Sequence, residues 1–145
     1  FLSVLLDSNI IIAFLKGDQI VEKKIRDFIE QNVPLCIATI SVYEIYLGII
    51  ANLYLKQGRP NLVPELLQSY NQLVQTCSIL DFTQSAAEKA ADLFAQSQGK
   101  GIKIKQNDRM KAGIALTWGI SQVITRDVTD FEGIKQLFGL EFKNF

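Results

Sequence analysis

The sequence predicts an α/β domain built on a central parallel sheet flanked by helices on both faces. Short apolar runs alternate with segments whose apolar residues recur at helical spacing, the pattern of βα units rather than of a bundle or sandwich. Carboxylates also recur where strands hand over to a helix or turn, which in a parallel sheet is the edge where ligands bind. With 145 residues and 16.3 kDa, the chain is long enough for one domain over residues 1–145 with a real core.

Taken in order, residues 1–6 read as a buried strand ended by Asp7, and the apolar run Ile10–Leu15 continues as a short helix from Asn9, stopped near Gly17. Gln19–Gln31 is amphipathic, with Ile20, Val21, Ile25, Phe28 and Ile29 on one face. Val33–Ile40 is the second strand. The next helix, about Val42–Lys56, carries two adjacent apolar strips: Val42, Ile45, Tyr46, Ile49, Ile50 and Leu53, then Tyr43, Leu47, Ala51 and Tyr54. A helix apolar over so much of its circumference is buried on more than one side, so a partner is expected beside the core. Gly58-Arg59-Pro60-Asn61 breaks the chain. A helix over Leu62–Gln75, a short strand Ser78–Leu80 and a helix marked by Ala86, Ala90 and Phe94, ending before Gly99, follow. Asp108 opens a helix over Arg109–Trp118, Gly119 ends it, Ile120–Thr125 is a strand, and Phe131–Phe138 precedes a short terminal strand Leu140–Phe142.

Apolar residues make up 48% and charged residues 21%, as in a soluble globular protein. No apolar run approaches the roughly 20 residues that cross a bilayer. The opening run meets Asp7 too soon for a signal peptide, and with no initiator Met a few residues are expected to have been trimmed. The expected location is the cytoplasm. Zero net charge argues against charge-driven coating of nucleic acid, yet leaves room for a nuclease whose metals supply positive charge. The absence of histidine excludes zinc catalysis and His-based triads. Cys36 and Cys77 lie in separate predicted strands with no CxxC, and are expected as buried free thiols.

Four acids stand at strand or helix boundaries: Asp7, Glu44, Asp108 and Asp127. Singly, each has a structural explanation. Asp7 is a good N-cap type, Ser41-x-x-Glu44 is a literal capping box, Asp108 can cap its own helix, and Asp127 or Asp130 can stabilise the turn Arg126–Asp130. Jointly, they would meet at one sheet edge, with Glu44 turned away from the main apolar stripe of its helix. Asp81 is read as a cap. Lys23-Lys24 and the group Lys100, Lys103 and Lys105 are read as solvated surface, the latter placed to help hold phosphate. Close carboxylates cannot all stay ionised unless a cation joins them, and oxygen-only ligation selects Mg²⁺ or Mn²⁺. By the same argument, neutralising one acid, as in Asp7→Asn, is expected to leave the metal-free protein no less stable.

Leu5-Leu6-Asp7-Ser8-Asn9, Thr39-Ile40-Ser41-Val42-Tyr43-Glu44, Asn107-Asp108 with Ala112 and Ala115, and Val123-Ile124-Thr125-Arg126-Asp127 with Asp130-Phe131 together resemble the PIN domains. Among these the set is most similar to the VapC-type toxin ribonucleases of bacterial and archaeal toxin–antitoxin pairs, in the expected order over almost the whole chain. The resemblance implies a PIN-like fold, a homodimer, Mg²⁺ or Mn²⁺, an RNA substrate and a small antitoxin that blocks the site. It also implies that Asp7, Glu44, Asp108 and Asp127 form the catalytic and metal-binding acidic set, with Asn9 and Thr125 supporting. Asp130, three residues beyond Asp127, competes as the fourth acid. This chain departs from the family by placing Arg109 and Lys111 where apolar residues usually follow the third acid.

Without His or a catalytic Cys pair, the expected nucleophile is a metal-activated water, Asp7 and Asp108 being the main ligands and Glu44 and Asp127 completing the shell or orienting water. Two alternatives compete. A haloacid-dehalogenase-like phosphatase also begins with a strand ending in Asp, but wants a second acid where Asn9 stands; a phospho-receiver domain needs an acid pair that is missing after the first strand. The alternative of a different class is a PIN-like module that has lost catalysis and acts in dimerisation or RNA binding, against which the retained acids argue.

Overall fold

The structure, a computed structural model, describes residues 2–51, 56, 58 and 60–145. Five strands, β1 (Val4–Leu6), β2 (Leu35–Ala38), β3 (Cys77–Leu80), β4 (Gln122–Ile124) and β5 (Glu141–Lys143), form one sheet in the order β3-β2-β1-β4-β5. Every pairing is parallel. Helices α1 (Ser8–Leu15) and α2 (Gln19–Glu30) link β1 to β2. After β2 come α3 (Thr39–Ile49), a 3₁₀ turn at Pro60–Leu62 and α4 (Val63–Val74); after β3, α5 (Gln84–Gly99) and α6 (Gln106–Thr117); α7 (Val128–Phe138) links β4 to β5. The expected α/β architecture is the observed one.

Side-chain alternation along the strands divides the core. Val4 and Leu6 of β1, Leu35 and Ile37 of β2 and Ile124 of β4 pack with Ile10, Ile25 and Ile45 on one face. Leu5, Cys36, Ala38 and Val123 pack with Ile114, Phe131 and Ile134 on the other. A one-residue slip in β1 would exchange the two sets, so register is strongly fixed. On the second face Gly113 lets α6 lie directly on α5: a Cβ at this position would overlap the Ala86 carbonyl oxygen.

Several boundaries differ from expectation. β2 ends at Ala38 and α3 begins at Thr39, although Thr39-Ile40-Ser41-Val42 is β-branched enough to read as strand. The capping box is not formed: Ala38 is the N-cap without a side-chain bond, and Ser41 lies inside the helix, fully buried. Glu44 is thereby released from capping. α6 starts at Gln106, so Asp108 occupies its first turn and does not cap it. Asp81 is not a cap either; Thr83 Oγ1 accepts from the Ala86 N–H at 3.2 Å and caps α5. After Ile49 the chain passes into a wider π turn at Ile50–Ala51, and the expected strip residues Leu53 and Tyr54, like Arg59, lie outside the described residues. Cys36 and Cys77 are free thiols, the first buried and the second half-buried. Burial pushes the Cys36 thiol up and the Cys77 thiol to about 11, so neither is a ready thiolate. Among the described residues no helix is long and apolar enough to cross a membrane.

Candidate active site

Strand order reverses at β1, whose neighbours β2 and β4 lead the chain in opposite directions. The crevice outside the carboxyl ends of β1 and β4 is the place where such sheets bind ligands. Asp7 leaves β1 there, and Thr125 leaves β4 there. Thr125 Oγ1 donates to Asp7 Oδ2 at 2.7 Å and accepts from the Asp127 N–H at 2.9 Å, tying the two strand ends together. Asp7 Oδ1 accepts from the Ser8 N–H at 2.7 Å, so the N-cap reading of Asp7 and its place in the crevice both hold. Asn9 Oδ1 accepts from the Arg126 N–H and fixes the start of α1 to the loop after β4.

Glu44 reaches the same crevice from α3. Its Oε1 accepts from Ser8 Oγ at 2.9 Å and its Oε2 from Asn107 Nδ2 at 3.1 Å. Asp108 arrives on the first turn of α6, only 3% exposed, and Asp127 stands at the start of α7 without capping it. Asp130, one turn into α7, is buried, and its Oδ2 accepts from the Lys105 N–H at 3.0 Å. The structure therefore brings Asp7, Glu44, Asp108 and Asp127 to one cleft, with Asp130 buried beside Asp108 and Asp127, and does not force a choice between Asp127 and Asp130. Oxygens of Asp108, Asp127 and Asp130 lie within 4.8 Å of one another. The cleft, about 360 Å³, is lined by Asp7, Glu44, Asn107, Asp108, Lys111 and Asp127, among others.

Two lysines enter this acidic ground. Lys105 is exposed and pairs with Asp127 at 3.2 Å, and that partner raises its pKa. Lys111 is different: 2% exposed, its Nζ lies 2.7 Å from Asp7 Oδ1, 2.5 Å from Glu44 Oε1 and 3.5 Å from Asp108 Oδ1. Burial works against its charge, but the Asp7 carboxylate and the other two acids outweigh that and hold the ammonium ionised well above the ordinary lysine range. Glu44 is likewise disfavoured by burial yet ends below its ordinary value, because Lys111, Asn107 and Ser8 all donate to it. The expectation of four unpaired carboxylates thus needs correcting: Asp7 has a cationic partner within the chain, and neutralising it removes an attraction as well as a repulsion.

The sequence flagged Arg109 and Lys111 alike, but their fates diverge. Arg109 stacks over the Phe94 ring at 4.6 Å and donates to the Ile104 carbonyl, outside the site. Lys111, three residues after Asp108, shares its helix face and turns inward. Its setting in Met110-Lys111-Ala112-Gly113-Ile114-Ala115 was the available signal, since a lysine within a buried helical stretch must find acids. Ser8 and Asn107 were also missed as Glu44 partners.

Asp108 Oδ2 is buried and, when ionised, has no donor. Burial, then proton sharing with Asp127 and Asp130, pushes the Asp108 carboxyl up to about 9. Asp127, receiving that hydrogen bond and the Lys105 ammonium, is held below its ordinary value. Lys111 reaches only Asp108 Oδ1, at 3.5 Å, and does not offset the burial, so the unpartnered Oδ2 facing Asp127 and Asp130 marks a place for a cation. Three hard oxygen donors fit a divalent ion such as Mg²⁺ or Mn²⁺ there.

Comparison with solved structures returns the same fold throughout the chain. The VapBC2 complex of Rickettsia felis, solved bound to a promoter DNA fragment, superposes with a TM-score of 0.80 over 99% of both chains at 17% identity. DNA-bound VapBC of Salmonella typhimurium gives 0.79 at 24% identity, over 99% of this chain and 98% of that one. A toxin–antitoxin complex from Klebsiella pneumoniae gives 0.66 at 25% identity, over 91% and 92%. Comparison with curated protein sequences gives no match. The family model of the PIN domain matches residues 4–135, and the chain belongs to the PIN domain family.

Proposed function

We propose that this protein is a metal-dependent endoribonuclease, the toxin of a type II toxin–antitoxin pair acting in the cytoplasm. The observation that carries the reading is the meeting of Asp7, Glu44, Asp108 and Asp127 at the crevice between β1 and β4, with Asp130 beside Asp108 and Asp127 and a buried Asp108 oxygen lacking a donor. Family membership and the likeness to toxin–antitoxin complexes support an RNA substrate and an antitoxin partner.

Asp108, Asp127 and Asp130 would hold a divalent ion. When bound, it supplies Lewis-acid stabilisation of charge on a phosphodiester and makes hydroxide accessible near neutral pH. The chain's own groups do the positioning. Thr125 and the Ser8 N–H lock Asp7, while Ser8 and Asn107 lock Glu44. Lys105, exposed at the cleft rim, is placed to meet a phosphate oxygen once it leaves Asp127, a surface pairing that costs little to break.

Cleavage of a fluorescent single-stranded RNA should require Mg²⁺ or Mn²⁺ and stop in EDTA; undiminished cleavage in EDTA sinks the proposal. One observation favours the catalytically silent, RNA-binding or dimerising module: the Lys111 ammonium among the acids. That reading gains if RNA binds and is not cut at any metal concentration.

A homodimer through α3 belongs to the proposal. Tyr43 and Leu47 are 64% and 52% exposed and, with the half-exposed Tyr46 and Ile50, leave an apolar patch on the surface. Two-fold dimers are the commonest small assemblies. Leu47→Glu is expected to give a monomer by light scattering; a dimer of unchanged stability would place the interface elsewhere.

A further inference from the structure

We infer that Lys111 is a tethered cation that fills the position among Asp7, Glu44 and Asp108, and that it confines the protein to one divalent ion, held on the Asp108–Asp127–Asp130 side. The inference rests on the proposed metal dependence and concerns where, and how many, ions the chain takes.

The accounting of oxygens separates the two sides. Both Asp7 oxygens are engaged, Oδ1 by the Ser8 N–H and Lys111 and Oδ2 by Thr125. Both Glu44 oxygens are engaged as well, Oε1 by Ser8 Oγ and Lys111 and Oε2 by Asn107. An ammonium has three donors and no acceptor, and three carboxylates surround this one. A divalent ion entering there must displace a buried lysine paired to three carboxylates. On the other side Asp108 Oδ2 has no donor, and the cation beside Asp127 is Lys105, whose side chain is 72% exposed. Lys105 swings into solvent at small cost. One lysine is a fixture and the other is removable, so the ion goes to the removable one.

Mn²⁺ titration of the purified chain, followed by calorimetry and by the EPR signal of free Mn²⁺, tests this. The expected result is one ion per chain, with affinity reduced at least about ten-fold by Asp130→Asn, the loss typical of a disturbed metal shell, and left within about three-fold by Glu44→Gln, whose partner is Lys111. Lys111→Met should admit a second ion. If that variant folds only when Mn²⁺ is present, the ion has taken the lysine's place, which equally supports the assignment. The wild-type protein gives a check free of any folding defect: the slowly exchanging Lys111 ammonium signal in ¹H–¹⁵N NMR should survive saturation with Mg²⁺. Loss of that signal, two ions per wild-type chain, or a ten-fold loss of affinity in Glu44→Gln would overturn it. A wild type that binds two ions and cuts RNA overturns this inference alone, whereas one that binds a single ion and cuts nothing overturns the nuclease reading alone.

Discussion

Asp108→Asn is expected to abolish RNA cleavage while making the metal-free protein more stable. Activity should fall by about 10³-fold, because several kcal/mol of charge stabilisation depend on an ion that loses its central ligand. Stability moves the other way. Folded, Asp108 keeps its proton up to about 9 against an ordinary 3.8, so over that window the folded chain binds more protons than the unfolded one. Its contribution to folding is therefore fully present below about pH 4 and is lost as the pH rises toward 9. An asparagine keeps the shape, carries no charge and escapes this loss. The gain should be near zero at pH 4 and on the order of 2 kcal/mol at pH 8, the proton being shared with Asp127 in the wild type. Urea melts in EDTA at the two pH values measure it. A variant less stable than wild type at pH 8 would show that ionised Asp108 is held chiefly by Lys111, and the cation-lacking pocket would have to be abandoned.

Much of this site was legible in the residues, and the parts that were not share a cause. Strand-end acids could be read because a parallel sheet sends every strand's carboxyl end to the same edge, which brings Glu44 to Ser8, next to Asp7, across 36 positions. Periodicity gave Ile45 and Ile49 as core and Tyr43 and Leu47 as outside it, but Tyr46 and Ile50, read in the same stripe as Ile45, are exposed. What failed was the start of α3. Local β propensity and a capping box pointed to Ser41, but the chain turns off the sheet at Thr39 and buries the Ser41 hydroxyl without a partner. Tertiary burial overrode both local signals. Lys111 was noticed, but its partners were hidden for a related reason. Helical spacing puts it on the Asp108 face, yet only the packing of α6 against the β1 and α3 ends shows that three acids wait there. Motif reading treats a residue outside the pattern as a departure, whereas electrostatics makes it the centre of the cluster.

The most consequential stability change should follow Asp7→Asn, and its sign reverses what four unpaired carboxylates would give. Repulsion alone makes neutralising one acid harmless, but Asp7 faces Lys111 at 2.7 Å with both groups almost fully buried. Removing one member of a buried pair leaves the other charge uncompensated, at a cost of about 3–5 kcal/mol. Glu44 and Asp108 remain beside Lys111, and the asparagine carbonyl can still accept from Ser8, so the lower end, about 3 kcal/mol, is expected. For a chain of this length that is a fall of roughly 6–12 °C in Tm, read in EDTA so that no ion intervenes. Capping loss alone would cost only about 1 kcal/mol, and pure repulsion would raise Tm. The three accounts therefore differ in size as well as sign. The double variant Asp7→Asn/Lys111→Met decides among them: if the pair is the cause, removing the stranded ammonium should recover about half of the loss or more, a coupling of 1–3 kcal/mol. Strictly additive losses would mean that Lys111 answers to Glu44 and Asp108 alone, and that Asp7 serves the fold through Ser8 and Thr125.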